Sequence, residues 1–253
     1  MVVDLQKASL LKRMAAWIFD VILVSILSVG CGMLLAMLMQ YDRYSNVLDE
    51  AYEKCEKQYG VNFDISEKEY SELTEEDRER YLAAYENLNK DEEVVKAYNM
   101  VLSQTMIIVS VGILLSMLLL EFFVPLWLKN GQTVGKKIFG LGVMRADFVK
   151  IGGVQLFART VLGKFTIETM LPIYIFLLSF FGALGISGTT ILFIFLFAEV
   201  VIVGFTKNHS MIHDLISGTV TVDLATQRIF ESHEEILEYT KKIHAEKAER
   251  SPY

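Results

Sequence analysis

Residues 10–39 read LLKRMAAWIFDVILVSILSVGCGMLLAMLM. From Met14 to Met39 the only charged residue is Asp20. Roughly 20 apolar residues in a helix are enough to cross a hydrocarbon core, so this stretch predicts a membrane helix from about Met14 to Met39. Lys7, Lys12 and Arg13 in front of it resemble the basic start of a signal peptide. The apolar run is longer than the roughly 7–15 residues of such a segment and has no small-x-small cleavage site, so a retained helix is expected. An unpaired acid inside it would cost on the order of 2.5–3.5 kcal/mol on insertion scales. Asp20 therefore needs a partner, and Arg13 is one candidate, two helical turns earlier.

The rest of the chain alternates between apolar and charged segments. Of the 253 residues, 53% are hydrophobic and only three are proline, which suits a small polytopic membrane protein. Residues 41–99 form a polar insert. From Gln40 to Asn99 there are 17 acids against 8 bases, more than the whole net charge of −7. Ser66 with Glu69 fits a capping box, and Thr74 followed by acids fits a second helix start. Tyr70, Leu73, Tyr81, Leu82, Tyr85 and Leu88 recur at three- and four-residue steps, as expected of an amphipathic helix or helical hairpin. The insert is expected to be a solvated helical cap, or an acidic antenna for cations or a basic partner. Cys31 sits in the first apolar run and Cys55 in the insert, so no disulfide is expected.

Further apolar runs cover Met100–Leu128, with Glu121, Pro125 and an interfacial Trp127, then Phe165–Phe181 with Glu168, and Ile186–Phe205 with Glu199. The 129–164 loop between the second and third carries seven bases against one acid, Asp147. Basic residues near helix ends mark the cytoplasmic side. They place both termini and this loop inside and the acidic insert outside. The expected fold is all-α: a polytopic helical membrane bundle of about four transmembrane helices with a helical extracytoplasmic insert. The expected segments are 1–40 (N-terminus and helix 1), 41–99 (insert), 100–222 (membrane core) and 223–253 (charged cytoplasmic tail).

At about 1.5 Å per residue, Asp20, Glu121 and Glu199 fall at similar depths in the cytoplasmic third of the bilayer, with Glu168 near the start of helix 3 and Arg13 at the edge. Two explanations stand. The acids pair locally or snorkel, or they form a proton or cation path, since intramembrane ionisable groups are functional candidates and clustered carboxylates raise one another's pKa. His209 and His213 are four apart, but the full H-E-x-x-H is absent, so no metal site is expected. Asp214 is expected to accept from Arg13 or Arg159 on a membrane-surface helix. Gly131-Gln132-Thr133-Val134-Gly135-Lys136-Lys137 lacks the spacing and the Ser/Thr of a phosphate loop. Its glycines are expected to make tight turns, with the lysines facing anionic headgroups. With no nucleophile–base pair in view, no enzyme and no cofactor are expected.

Arg13-x-x-Ala16-x-x-x-Asp20, then Gly131-x-Thr133-x-Gly135-Lys136-x-x-x-Gly140-x-x-Val143, then Arg159, then His213-Asp214 with Ser217-Gly218-Thr219 and Val220-Thr221-Val222, together resemble the RDD family of membrane proteins, named for one arginine and two aspartates. The match spans the chain apart from the insert, which departs from the family pattern, and the tail. The resemblance implies an integral membrane protein and, since some members look like cation/proton antiporters, a transport-type role. The expected function is thus monovalent cation/proton exchange in the cell membrane by a multi-pass protein. Asp20 and Glu199 would carry the exchange, with Arg13 and Asp214 pairing or gating. The rival is a non-transporting scaffold whose Arg/Asp groups lock helix packing. The expected partners are the lipid bilayer, a monovalent cation and a proton, with no nucleic acid. Four helices are few to enclose a path, so a homo-oligomer or a larger membrane complex is expected.

Overall fold

A computed structural model describes residues 5–6, 8–128, 130–206 and 210–250. Four helices are long and apolar enough to cross a membrane: α1 (Leu10–Leu38), α5 (Glu92–Leu128), α7 (Gly153–Phe180) and α8 (Gly185–Phe205). Many of their apolar side chains are exposed, among them Ile26, Met37, Phe193 and Phe197. In a soluble protein that would be a fault, but on a membrane helix it is the lipid-facing surface. Between lipid-solvated helices the hydrophobic effect does little, so packing and polar contacts must hold the bundle.

The chain forms two compact units, Met1–Cys31 with Ser110–Tyr253, and Gly32–Val109. The second holds α2 (Tyr41–Tyr59), α3 (Glu67–Glu72) and α4 (Glu75–Lys90). Its core is Cys55, Ala84, Leu88 and Val94, with Leu48, Tyr52 and Phe63 packed against them. Phe63 meets Tyr52 and Tyr81 edge-on at ring separations of 5.4 and 5.2 Å. Ser66 and Glu69 make the expected capping box, and Thr74 caps α4 by accepting the Asp77 N–H. The expected apolar stripe is only partly right: Leu88 is buried, but Leu82 and Tyr85 are about half exposed, and Ala84 joins Leu88 on the buried face instead. Both cysteines are free thiols.

In the first unit, two features depart from the sequence expectation. Helix 3 begins at Gly153, not Phe165, because Arg159 and Lys164, which end the apolar run, lie buried inside the helix as paired charges. Glu168 is therefore well within α7 rather than near its start. The second departure is a small antiparallel sheet. β1 (Leu141–Arg145) pairs with β2 (Thr219–Asp223), placing Val143 opposite Thr221 and Leu141 opposite Asp223. Four of the five residues in each strand are buried. Met144, Val220 and Val222 form a core that Leu5, Phe148 and Ile229 cover. Short α6 (Val134–Ile138) precedes β1, and α9 (Ile212–Ser217) precedes β2, so the sheet brings the loop after α5 beside the segment after α8. The tail contributes α10 (His233–Arg250). His209, with the metal pairing considered for it, lies outside the described residues.

One close approach fixes how α7 meets α9. A Cβ on Gly163 would stand 2.5 Å from both Cα and Cβ of His213. Gly163→Ala should therefore destabilise the unit by about 1–3 kcal/mol, as forced overpacking does, and thermal unfolding of the purified protein in detergent would show it. An unchanged melting temperature would mean that the two helices do not touch there.

Candidate functional site

Asp20 is 5% exposed although it sits almost three turns into a membrane helix. The short turn at α6 explains how it is tolerated. Thr133, the residue before α6, donates its hydroxyl to Asp20 Oδ2 at 2.5 Å, the Gly135 N–H donates to Oδ1 at 2.7 Å, and Lys136 Nζ lies 3.7 Å away. Thr133 Oγ1 also accepts the Lys136 N–H, capping the turn. The approach is so close that a Cβ on Gly135 would fall 2.4 Å from the Ala16 carbonyl and 2.9 Å from Asp20 Oδ1. Only glycine fits there. Gly131 and Gly140, on either side of the turn, both have positive φ, which glycine adopts without strain. Lys136 is buried rather than facing headgroups. Burial, then the nearby Lys164 charge, pushes its pKa down to about 8 against the opposing pull of Glu121 and Asp20, which leaves it a cation at neutral pH.

Arg159 is the second centre. It is 4% exposed, ion-paired with Asp214, and donates to Thr219 Oγ1 at 2.6 Å. Thr219 donates in turn to Asp214 Oδ1 at 3.0 Å, and Arg13 approaches Oδ2 at 3.6 Å. Both arginines proposed for Asp214 thus reach it. Arg159 Nη2 lies 2.9 Å from His213 Nε2, while His213 Nδ1 lies 2.6 Å from Glu168 Oε2. A guanidinium only donates, so Nε2 must accept and the proton sits on Nδ1, directed at Glu168. The other Glu168 oxygen accepts the His213 backbone N–H at 2.8 Å. His213 is therefore neutral by geometry. Burial, together with the charges of Arg159, Lys164, Lys136 and Arg13, holds its pKa well below the usual histidine value of 6.5.

The third centre pairs Lys164 with Glu121, both buried. Thr160 donates to the Glu121 backbone carbonyl at 2.9 Å. Helix winding makes this cluster possible. Over Leu118–Phe123 and Ala158–Met170 the helices are π-wound, with i→i+5 hydrogen bonds. Arg159 and Glu168 are nine residues apart, which in an α-helix is about two and a half turns and opposite faces. The wider π winding takes more residues per turn, so nine make about two turns and both side chains reach His213.

Glu199 differs from all of these. Its Oε1 is buried without a hydrogen-bond partner, as is Ser28 Oγ, and among the described residues it has no ion-pair partner. It lines a cavity of about 430 Å³ between the four long helices, together with Ser28, Glu121, Lys164 and Glu168. A smaller cavity of about 210 Å³ is lined by Arg13, Lys136, Arg159 and Asp214; the two share Trp17, Lys164, Val203 and Met211. The sites predicted from sequence therefore separate. Arg13, Arg159, His213 and Asp214 meet in one network, and Asp20 joins Thr133, Gly135 and Lys136. Glu121 and Glu199 face the larger cavity, and Asp20 does not line it.

The family model described as the RDD family matches residues 7–218. The chain belongs to the RDD family. No curated protein and no solved structure matches it. In this RDD protein the arginine and aspartate positions of the family pattern are structurally distinct: Asp20 holds the turn at α6, whereas Arg13 and Asp214 lie together at the α9 network. In the sequence Lys164 read as a loop base, Gly163 was not singled out, and Thr219 stood only as part of the motif at 217–219, without a role. The available signal was the recurrence of polar residues at 159, 160, 164 and 168, too regular for a loop.

Two outcomes follow from the Arg159 network. Arg159→Met leaves the buried Asp214 charge without its main partner and should cost about 3–5 kcal/mol, read as lost thermal stability in detergent; wild-type stability would refute the pairing. For His213, the unfolded chain binds a proton near 6.5 that the folded protein excludes. The histidine's contribution is therefore fully present above about pH 6.5 and falls as pH is lowered, by up to about 1.4 kcal/mol per unit. The melting temperature should drop between pH 7 and 5, and His213→Gln, which offers a similar acceptor and donor, should reduce that drop. An equal drop in the variant would mean that another group is responsible.

Proposed function

We propose that this RDD protein is a multi-pass protein of the cell membrane that exchanges a monovalent cation for a proton, with Glu199 as the exchanging carboxylate. One observation carries the reading. The buried polar region of the first unit holds five carboxylates (Asp20, Glu121, Glu168, Asp214 and Glu199) against four cations (Arg13, Lys136, Arg159 and Lys164). His213 is neutral, so one negative charge is left over. Among the described residues Glu168 and Glu199 both lack an ion partner, but both Glu168 oxygens are held by His213, whereas Glu199, on the cavity, has a buried oxygen with no hydrogen bond. A lone carboxylate in an apolar bundle must be neutralised by a proton or by a bound cation. Competition between the two at a single group is the elementary step of exchange. Glu168, held by His213, lines the same cavity and is the natural second station for the proton.

A second reading is favoured by a different observation: Asp20 accepts two hydrogen bonds and faces Lys136, and it does not line the larger cavity. That is the arrangement of a structural lock. We therefore assign Asp20, Arg159 and Asp214 to holding the bundle, in place of the carrier role expected of Asp20. If the whole protein were a scaffold, Glu199 would have no task. Four helices are few to enclose a full path, so the working unit is a homo-oligomer or a larger membrane complex.

The test is pH-driven exchange of monovalent cations, Na⁺, K⁺ and an organic ammonium ion each in turn, in proteoliposomes. Glu199→Gln should abolish exchange while leaving folded yield and melting temperature unchanged, whereas Asp20→Asn should lower the folded yield. Wild-type exchange in Glu199→Gln would rule out the assignment, and no exchange by the wild-type protein under any gradient would favour the scaffold.

A further inference from the structure

We propose that the larger cavity takes a primary organic ammonium ion with an apolar body, its charged head at Glu199 and Ser28. This rests on the exchange reading above and names the class of cation. Ten of the seventeen lining residues are apolar, including Val24, Ile113, Met117 and Ile173. A volume of about 430 Å³ with mostly apolar walls and a few polar groups is typical of pockets for small organic molecules. A bare alkali ion needs oxygens crowded around it to replace its hydration shell, and walls of this kind do not supply them. Of the charged groups on the lining, Glu121 is taken by Lys164 and Glu168 by His213.

The unspent hydrogen-bonding capacity is specific. Among the described residues three buried side-chain atoms lack a partner, and two of them, Glu199 Oε1 and Ser28 Oγ, belong to this one cavity. Buried polar atoms without partners are rare and call for an explanation. Both can accept a hydrogen bond, and a primary ammonium has N–H donors to spare for two acceptors plus a charge that matches the surplus carboxylate. A neutral ligand would leave that carboxylate uncompensated, and an anion would add to the excess. Trp17, on the same wall, offers an aromatic surface for the apolar body and an optical reporter.

The experiment uses the full-length chain in detergent with Trp127→Phe as background, so that Trp17 is the sole tryptophan. Titration with 2-phenylethylammonium should change Trp17 emission saturably. Binding should weaken about tenfold or more in Glu199→Gln, the scale of one lost charge contact, and more modestly in Ser28→Ala, with circular dichroism unchanged in both. The neutral analogue 2-phenylethanol should not compete. Equal binding of the alcohol, or binding indifferent to Glu199→Gln, would overturn the proposal and leave a plain apolar pocket. Failure of the ammonium to bind, alongside Glu199-dependent Na⁺ or K⁺ exchange in proteoliposomes, would overturn it while the exchange reading survives. Failure of both assays would overturn both.

Discussion

The ion pair between Arg159 and Asp214 is the contact on which the first unit depends. Asp214, almost fully buried, accepts from Arg159 on α7 and Thr219 at the start of β2, and faces Arg13 on α1. One carboxylate thus ties α1 and α7 to the α9–β2 segment, three stretches that are far apart in sequence. A buried charge is expensive unless every partner is in place. Slipping α7 or α9 would leave Asp214 or Arg159 alone in a medium of low polarity. The apolar faces of the helices impose no such demand, because lipid solvates them as well as another helix would. Charge pairing, with Gly163 allowing α7 to reach α9, therefore selects the arrangement that apolar contacts leave open.

Asp20 repeats the logic with weaker groups. Its carboxylate is satisfied by a hydroxyl and a backbone N–H from a five-residue helix, with a lysine nearby. This makes the loop after α5 a fixed part of the structure and sets up the short chain from α6 into β1. The outcome is a polar region in two parts. One is saturated with partners and holds the fold, while the other, at Glu199, is one positive charge short. The exchange proposed above is assigned to the second part because only an unmatched group can change partners at low cost.

Much of this was legible in the sequence. The apolar runs marked four helices, and the depth argument placed Asp20, Glu121 and Glu199 at one level. Depth says nothing about direction around a helix axis, however, and Asp20 turns toward the α6 loop whereas Glu121 and Glu199 turn toward the cavity. Arg159 and Lys164 were hidden by their own charge. Hydropathy ends a helix where charges begin, yet here the charges are neutralised in pairs and the helix runs on for another turn and more. Their burial, with that of Lys136, also means that three of the seven bases in the 129–164 segment are internal partners rather than surface charges. The π winding that aligns Arg159 with Glu168 leaves no mark in an α-helical periodicity. The two strands were missed for a simpler reason: short strands with four consecutive buried residues show no alternation, and only the β-branched Val220-Thr221-Val222 leaned that way.

The central claim is that Glu199, which has neither a built-in cation nor a hydrogen bond to its buried oxygen, exchanges a proton for a bound cation. Infrared difference spectroscopy of the purified protein, with and without a saturating monovalent cation, reads this directly in the carboxyl region. The account predicts a single cation-sensitive carboxyl signal that disappears in Glu199→Gln. The same signal persisting unchanged in that variant would contradict it.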